Sequence, residues 1–277
     1  SVALKKYRLS LLKNPNFKFH KLDLHDIDTL AGEFDIAINL AAQPGVRVKK
    51  ENQKLYRDTN ILGFKKFCNY CLNQNIKKII YASSSSVYQN STNKFNELDT
   101  VLNPISEYGK SKLANEKLAT KLSLKHDLSF IGLRFFSVYG PLGRPDMAYY
   151  KFTDQLYKSK EIYLHNNGKM MRDLTFIDDI VFGITQAIEL IKKDYHFKNE
   201  IFNLGNDRPV ETAELLKILE KKTKKKALYR NKRTFNEVGI THADISKSRD
   251  LLGYNPKFIL NDGIDLFLDW YKKYEKI

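Results

Sequence analysis

Lys78-Ile79-Ile80-Tyr81-Ala82-Ser83 runs into Ser84-Ser85-Ser86-Val87-Tyr88. Further on, Ser106-Glu107-Tyr108-Gly109-Lys110-Ser111-Lys112 opens a long stretch that leads to Ser129-Phe130-Ile131-Gly132-Leu133-Arg134-Phe135-Phe136. The first segment reads as a strand, and the last is apolar enough to be a strand buried on both faces. Between them, about Ser106 to His126, Leu113, Leu118 and Leu122 recur at helical spacing. A strand, a long helix and a second strand in that order imply a right-handed crossover between parallel neighbours.

The same rhythm extends outward. Phe17-Lys18-Phe19-His20-Lys21-Leu22 and Asp35-Ile36-Ala37-Ile38-Asn39-Leu40-Ala41 read as strands. About Asn52 to Asn75 reads as a helix, with Leu55, Thr59, Leu62, Phe67 and Tyr70 near one face. Downstream, a helix near Met147 to Lys158 leads to an extended Ile162-Tyr163-Leu164 and a turn at Asn167-Gly168-Lys169. Leu174-Thr175-Phe176-Ile177 is extended, and Asp178 is placed to cap a helix reaching about Ile191. Glu200-Ile201-Phe202-Asn203-Leu204 is a further strand, and about Asn261 to Tyr274 a final amphipathic helix. The pattern predicts an α/β fold with a Rossmann-type doubly wound parallel sheet. Residues 1–138 and 174–205 are expected to form the nucleotide-binding body, and 139–173 and 206–277 a smaller, interwoven C-terminal lobe. There is no internal repeat or low-complexity linker.

With 277 residues, 42% of them hydrophobic, the chain can bury a large core. No apolar run is long enough to span a membrane, and the first residues do not resemble a signal peptide. The formal charge of +15 comes mostly from lysines scattered along the chain, with one block at Lys221 to Lys226. No nucleic-acid-binding motif accompanies them, so the expectation is a lysine-rich solvated surface that also suits an anionic small substrate. Cys68 and Cys71 form a C-x-x-C within a helical stretch. Without a second pair or suitably spaced histidines they read as packed thiols of a reducing cytoplasm, with no metal site.

In such a sheet ligands sit at the carboxyl ends of the strands. The serine run ends one strand, Arg134 to Tyr139 ends the next, and Tyr108 opens the intervening helix. Tyr108 and Lys112 stand one helical turn apart. An ammonium at that distance favours the phenolate, and a nearby hydroxyl can share a substrate proton. Among 16 tyrosines roughly two such pairs would arise by chance, so the serine run beside this one carries the reading.

Leu40-Ala41-Ala42-Gln43-Pro44-Gly45-Val46-Arg47, Tyr81-Ala82-Ser83-Ser84-Ser85-Ser86-Val87-Tyr88, Tyr108-Gly109-Lys110-Ser111-Lys112, Leu133-Arg134-Phe135-Phe136-Ser137-Val138-Tyr139-Gly140-Pro141, Gly143-Arg144-Pro145-Asp146-Met147 and Met171-Arg172-Asp173-Leu174-Thr175-Phe176-Ile177-Asp178-Asp179-Ile180 together resemble the extended short-chain dehydrogenase/reductases of the NAD-dependent epimerase/dehydratase family. The resemblance runs nearly end to end. It is nearest to the UDP-glucuronate 4-epimerases, to which the Gly-Arg-Pro-Asp-Met and Met-Arg-Asp blocks are fairly specific. The family opens with a strand, a Gly-x-x-Gly-x-x-Gly turn and a helix that cradle the dinucleotide pyrophosphate. No stretch here matches that turn. With no initiator methionine either, the chain reads as a fragment lacking roughly 40 leading residues, including the determinant of NAD over NADP.

The resemblance implies NAD as cofactor, Tyr108 as base, Lys112 as its partner on the nicotinamide ribose, and Ser84 as the third catalytic residue. Asp23 and Leu24 would lie at the adenine, Ala41 and Ala42 where the backbone approaches the cofactor, and Asn60 near the nicotinamide. It also implies C4 oxidation of a UDP-sugar to a 4-keto intermediate, ring rotation and reduction on the opposite face. Related dehydratases and decarboxylating enzymes carry acidic residues where this chain has Ser85 and Ser86, which argues against elimination. Ser85, Ser86, Ser137 and Arg144 are candidates for holding a sugar carboxylate, and Arg172 for the diphosphate, with an ion pair to Asp173 or Asp178 as its alternative. Arg233, in Arg233-Thr234-Phe235-Asn236-Glu237, is displaced by one position from the family's arginine. Rival readings are a UDP-glucose or UDP-amino-sugar 4-epimerase, a catalytically inactive nucleotide-sugar-binding or scaffold protein, and a polyanion binder. By analogy the protein is a homodimer through the helices near 52–75 and 106–126.

Overall fold

The computed structural model describes residues 2–46, 53–88, 94–99, 101–193, 198–234 and 238–277. Arg47 and residues 235–237 of the motifs quoted above lie outside the described residues. The strands are β1 (Ile36–Asn39), β2 (Lys78–Ser84), β3 (Ser129–Phe135), β4 (Ser137–Tyr139), β5 (Ile162–His165), β6 (Met171–Phe176), β7 (Asn199–Leu204), β8 (Pro209–Glu211) and β9 (Tyr229–Lys232). The helices are α1 (Val2–Ser10), α2 (Gly63–Asn73), α3 (Glu107–Lys125), α4 (Ala148–Tyr157), α5 (Ile177–Lys192), α6 (Thr212–Thr223), α7 (Ser246–Leu252) and α8 (Leu260–Glu275). A π-helical segment, Tyr56–Leu62, leads into α2.

The main sheet is parallel in the order β1-β2-β3-β7. Apolar residues on successive positions of β2 and β3 face opposite layers, so both faces are covered. Ile79, Tyr81 and Phe130 join a cluster with Phe64, Phe67 and Cys68 of α2. Ile80, Ile131 and Leu133 join another with Ile180, Ala187 and Ile191 of α5. This is the doubly wound arrangement expected. The buried residues of α3 are Gly109, Ser111, Lys112, Asn115, Glu116 and Ala119. Leu113, Leu118 and Leu122 are only partly buried, so a mostly polar face packs onto the sheet ends.

Two expectations need correction. Phe17 to Leu22 is not a strand: the sheet ends at β1, which leaves that alternating segment no ladder, and Phe17 and Phe19 are 43% and 57% exposed. The open edge also leaves Ile38 and Leu40 exposed. Asp178 does not cap α5. Phe176 holds the cap position, and Asp178 sits in the first turn, where a carboxylate still favours the helix dipole. β8 and β9 were not anticipated, and β9 pairs in parallel with β5.

The second cluster of sheet and helix contains β4-β6-β8 and β5-β9. Tyr139, Tyr149, Phe176, Leu219 and Phe267 are among its buried side chains. Segment 242–248 returns to the main sheet, where Phe95 and Ala243 form a bridge and the Ser248 hydroxyl donates to the Asn203 carbonyl at 2.6 Å. Among the described residues no helix is long and apolar enough to cross a membrane.

Candidate active site

Strand β2 ends at Ser84, whose hydroxyl accepts the Ser86 N–H at 3.1 Å and caps the short helical turn Ser85–Val87. Across from it α3 begins, capped by the Ser106 hydroxyl, which accepts the Gly109 N–H at 3.0 Å. Gly109 brings the two together. A methyl group there would stand 2.1 Å from the Ser86 carbonyl oxygen and 2.8 Å from Cβ of Pro104. No larger residue fits this contact, which sets Tyr108 beside the serine run.

Tyr108 lies close enough to Ser84 for the serine hydroxyl to favour its phenolate. Lys112 is 3% exposed, donates to the Ala82 carbonyl at 2.8 Å and lies 5.9 Å from the Tyr108 ring centroid. The electrostatics differ from the expectation of a ready phenolate. Burial raises the Tyr108 hydroxyl above its ordinary range, with the Ser84 hydroxyl and the Arg144 charge opposing the rise. Burial also lowers Lys112 to about 8. The lysine is therefore itself destabilised as a cation, and its proton is shared with a backbone carbonyl.

Asn60, 1% exposed, pins the neighbouring loop. Its Oδ1 accepts the Gln43 N–H at 2.7 Å, and its Nδ2 donates to the Gln43 carbonyl at 3.2 Å and to Ser111 Oγ at 2.9 Å. The Ser111 hydroxyl in turn donates to the Tyr108 carbonyl at 2.7 Å. Tyr56, missed in the sequence, donates to the Gly45 carbonyl, and its ring lies 6.1 Å from that of Tyr108. Ala41 and Ala42 follow β1 into this loop, and the Ala41 N–H donates to Asn39 Oδ1 at 2.9 Å. Nδ2 of Asn39 is buried without a hydrogen-bond partner.

Arg144 approaches the same loop: a methyl on Gly45 would lie 3.7 Å from its Nη2. The guanidinium is paired with Asp146 through both Nε (3.0 Å) and Nη2. Although Asp146 is partly desolvated, Arg144 holds its carboxyl below the usual range. Ser137 opens β4 opposite Leu174 of β6. Arg172 lies on β6 and donates from Nη1 to the carbonyls of Met171 (2.7 Å) and Gly239 (3.3 Å). Asp173 has other duties than pairing it. Its carboxylate accepts backbone N–H groups from Asn206 (2.6 Å), Asp207 (3.1 Å) and Ala243 (3.0 Å). Arg233 follows β9, next to Thr234, whose N–H donates to Asn166 Oδ1 at 2.9 Å.

Ser84, Tyr108, Lys112, Asn60 and Arg144 thus meet at one sheet edge. Asp23 belongs elsewhere: it caps the short helix Leu24–Thr29 by accepting the His25 N–H at 2.9 Å, while Leu24 packs against Gly63 at the start of α2. Cys68 and Cys71 are fully buried in α2, and burial pushes the Cys71 thiol up to about 12. Their environment is that of inert packed thiols.

The residues present fit the nicotinamide half of a dinucleotide. Small Ala41 and Ala42, the pinned loop backbone, the unsatisfied Asn39 amide and the Tyr108–Lys112 pair converge there. The glycine turn for the pyrophosphate does not occur in the sequence.

Residues 3–205 match the model of the NAD dependent epimerase/dehydratase family. The chain is 37% identical to the protein CapI of Staphylococcus aureus, over 100% of this chain and 89% of that one. It is 39% identical to UDP-glucuronate 4-epimerase 4 of Arabidopsis thaliana, over 98% of this chain and 67% of that one. UDP-glucuronic acid 4-epimerase of Bacillus cereus, solved with UDP-glucuronic acid and NAD, superposes with a TM-score of 0.91 at 32% identity, covering 99% of this chain and 87% of that one. The chain belongs to the NAD-dependent epimerase/dehydratase family.

Proposed function

We propose that the protein is an NAD-dependent UDP-sugar 4-epimerase that interconverts UDP-glucuronate and UDP-galacturonate. The observation that carries this reading is Tyr108, close to Ser84 and one turn from buried Lys112, beside a serine run with no acidic side chain. When bound, NAD supplies the hydride acceptor and donor for sugar C4 and, oxidised, a positive charge that favours the tyrosinate. Tyr108 takes the proton of the 4-hydroxyl and later returns one to the 4-keto oxygen. Ser84 hydrogen-bonds that same oxygen in both states. Without a carboxyl group at Ser85 or Ser86, no neighbouring acid is at hand to drive loss of water.

Arg144, with Ser85, Ser86 and Ser137, holds the sugar carboxylate, whose charge competes with Asp146 for the guanidinium. Arg172 and Arg233 serve the diphosphate from the C-terminal lobe, which comprises 139–173 and 206–277. Asp23 and Leu24 serve the adenine end. We place the protein in the cytoplasm as a homodimer through the helices near 52–75 and 106–126, where Leu72, Leu118 and Leu122 line a groove together with Lys65, Lys121 and Lys125.

The test is incubation of the purified protein with NAD and UDP-glucuronate, with UDP-galacturonate followed by chromatography. Tyr108→Phe is expected to lower turnover by about 10²- to 10⁴-fold. Turnover of UDP-glucose but not UDP-glucuronate would refute the substrate assignment, and equal activity of the phenylalanine variant would refute the mechanism.

A further inference from the structure

Behind the serine run lies a chain of buried polar groups that the roles above leave unused. Glu116 sits on α3 one turn beyond Lys112, and Oε1 accepts the Ser83 hydroxyl at 2.5 Å. Arg134 donates from Nε to Oε1 at 2.9 Å and from Nη2 to Oε2 at 2.8 Å. The side chains of Arg134 and Glu116 are 3% and 6% exposed. Ser83 and Arg134 are register partners on β2 and β3, so one carboxylate clasps two adjacent strands at the same level. Arg134 Nη1 donates to the Tyr88 hydroxyl at 2.8 Å, and its guanidinium lies 4.7 Å over that ring. The Tyr88 hydroxyl donates onward to Asn203 Oδ1 at 2.8 Å.

A buried ion pair is a poor source of net stability, because desolvation of both charges offsets their attraction. Hydrocarbon side chains of similar volume often serve as well. What hydrocarbons lack is direction. Here three hydrogen bonds fix Ser83 and Arg134 against one point of α3, four residues beyond Lys112. The residues flanking Ser83 are the two beside the catalytic pair: the Ala82 carbonyl accepts from Lys112, and the Ser84 hydroxyl lies close to Tyr108. A shift at position 83 moves both neighbours with it, since they are bonded along one strand.

We propose that Glu116 and Arg134 are positioning residues for the reaction, setting residues 82–84 in register with α3 so that Ser84 meets Tyr108 and Ala82 meets Lys112. This rests on the epimerase reading above for its kinetic consequences, but not for its geometry.

The experiment compares Ser83→Ala, Glu116→Gln and the double variant Glu116→Gln with Arg134→Met. Each is assayed for thermal unfolding, for kcat and KM with UDP-glucuronate, and for the ¹⁹F signal of Tyr108 in 3-fluorotyrosine-labelled protein. That signal is assigned by its loss in Tyr108→Phe. The expected kcat losses are about 100-fold for Glu116→Gln and about 10-fold for Ser83→Ala, with KM within about twofold. The Tyr108 signal should move in both. The double variant should regain thermal stability without regaining kcat, because it removes the unpaired buried charge and not the loss of direction.

Wild-type kcat and an unmoved Tyr108 signal in Ser83→Ala would overturn the proposal. So would recovery of kcat together with stability in the double variant. If Glu116→Gln fails to fold, Ser83→Ala decides by the same readouts. If the wild type turns over no UDP-sugar while the Tyr108 signal moves in Ser83→Ala, the epimerase reading falls and the positioning role stands.

Discussion

Replacing Gly109 by alanine tests how closely α3 must approach the serine run. The added methyl would stand 2.1 Å from the Ser86 carbonyl oxygen and 2.8 Å from Cβ of Pro104, where ordinary contact begins at 3.4 Å. Neither neighbour can swing aside, since one is backbone and the other a ring. The start of the helix must therefore retreat by about 1 Å, a displacement that can cost about 100-fold in rate when it separates reacting groups. Overpacking of this kind costs about 1–3 kcal/mol, against which alanine gains about 1 kcal/mol in helix propensity over glycine. The expected net loss is about 0–2 kcal/mol of stability. Urea unfolding gives the stability, and UDP-glucuronate turnover per folded molecule gives the rate. Stability equal to wild type with kcat within about twofold would refute a rigid contact between helix and loop.

Three further outcomes are expected. Burial lowers Lys112 to about 8 from its ordinary 10.5, so between these pH values the unfolded chain binds a proton that the folded chain does not. Wild-type stability should therefore rise with pH across that window relative to Lys112→Met; a difference that stays flat in urea unfolding contradicts the burial of the ammonium. Asp173→Asn puts an amide where three backbone N–H groups donate, and should lower stability by about 2–4 kcal/mol and raise KM as β6 shifts Arg172. Unchanged thermal unfolding would show those donors find other partners. Arg144→Met should lower kcat/KM for UDP-glucuronate by about 10- to 100-fold while sparing UDP-glucose, and an equal loss on both sugars would remove Arg144 from carboxylate recognition.

The sequence made the β2–α3–β3 unit legible because long apolar runs and a capped helix are local signals. Tyr108, Lys112 and Ser84 were legible for the same reason: a fixed spacing and a strand end place them without knowledge of distant contacts. Phe17 to Leu22 misled because alternation marks a potential strand, whereas a strand also needs a neighbour, and among the described residues none pairs with that segment. β9 was hidden by the opposite effect. Tyr229-Arg230-Asn231-Lys232 is exposed and mostly polar, and it is extended through its pairing with β5. The leucines of α3 marked only part of its packed surface, since the sheet also takes up Lys112 and Glu116 through specific hydrogen bonds. The sequence offers Asp173 only as a partner for Arg172, because the backbone donors it accepts, at Asn206, Asp207 and Ala243, lie far along the chain.

The bond from Tyr88 to Asn203 joins residues 115 positions apart, and Asn203 itself donates to the carbonyls of Phe95 and Asp244. During synthesis the serine strand, α3 and β3 emerge well before β7 and the returning segment 242–248. Until those arrive, β3 presents an unpaired edge, and the Tyr88 hydroxyl that receives Arg134 lacks its own acceptor. Closing so distant a contact is slow compared with forming local helices. The catalytic floor is therefore expected to be among the last parts to assemble. Refolding followed by the single tryptophan, Trp270 on α8, should run ahead of the recovery of turnover, and simultaneous recovery would place the two events in one step.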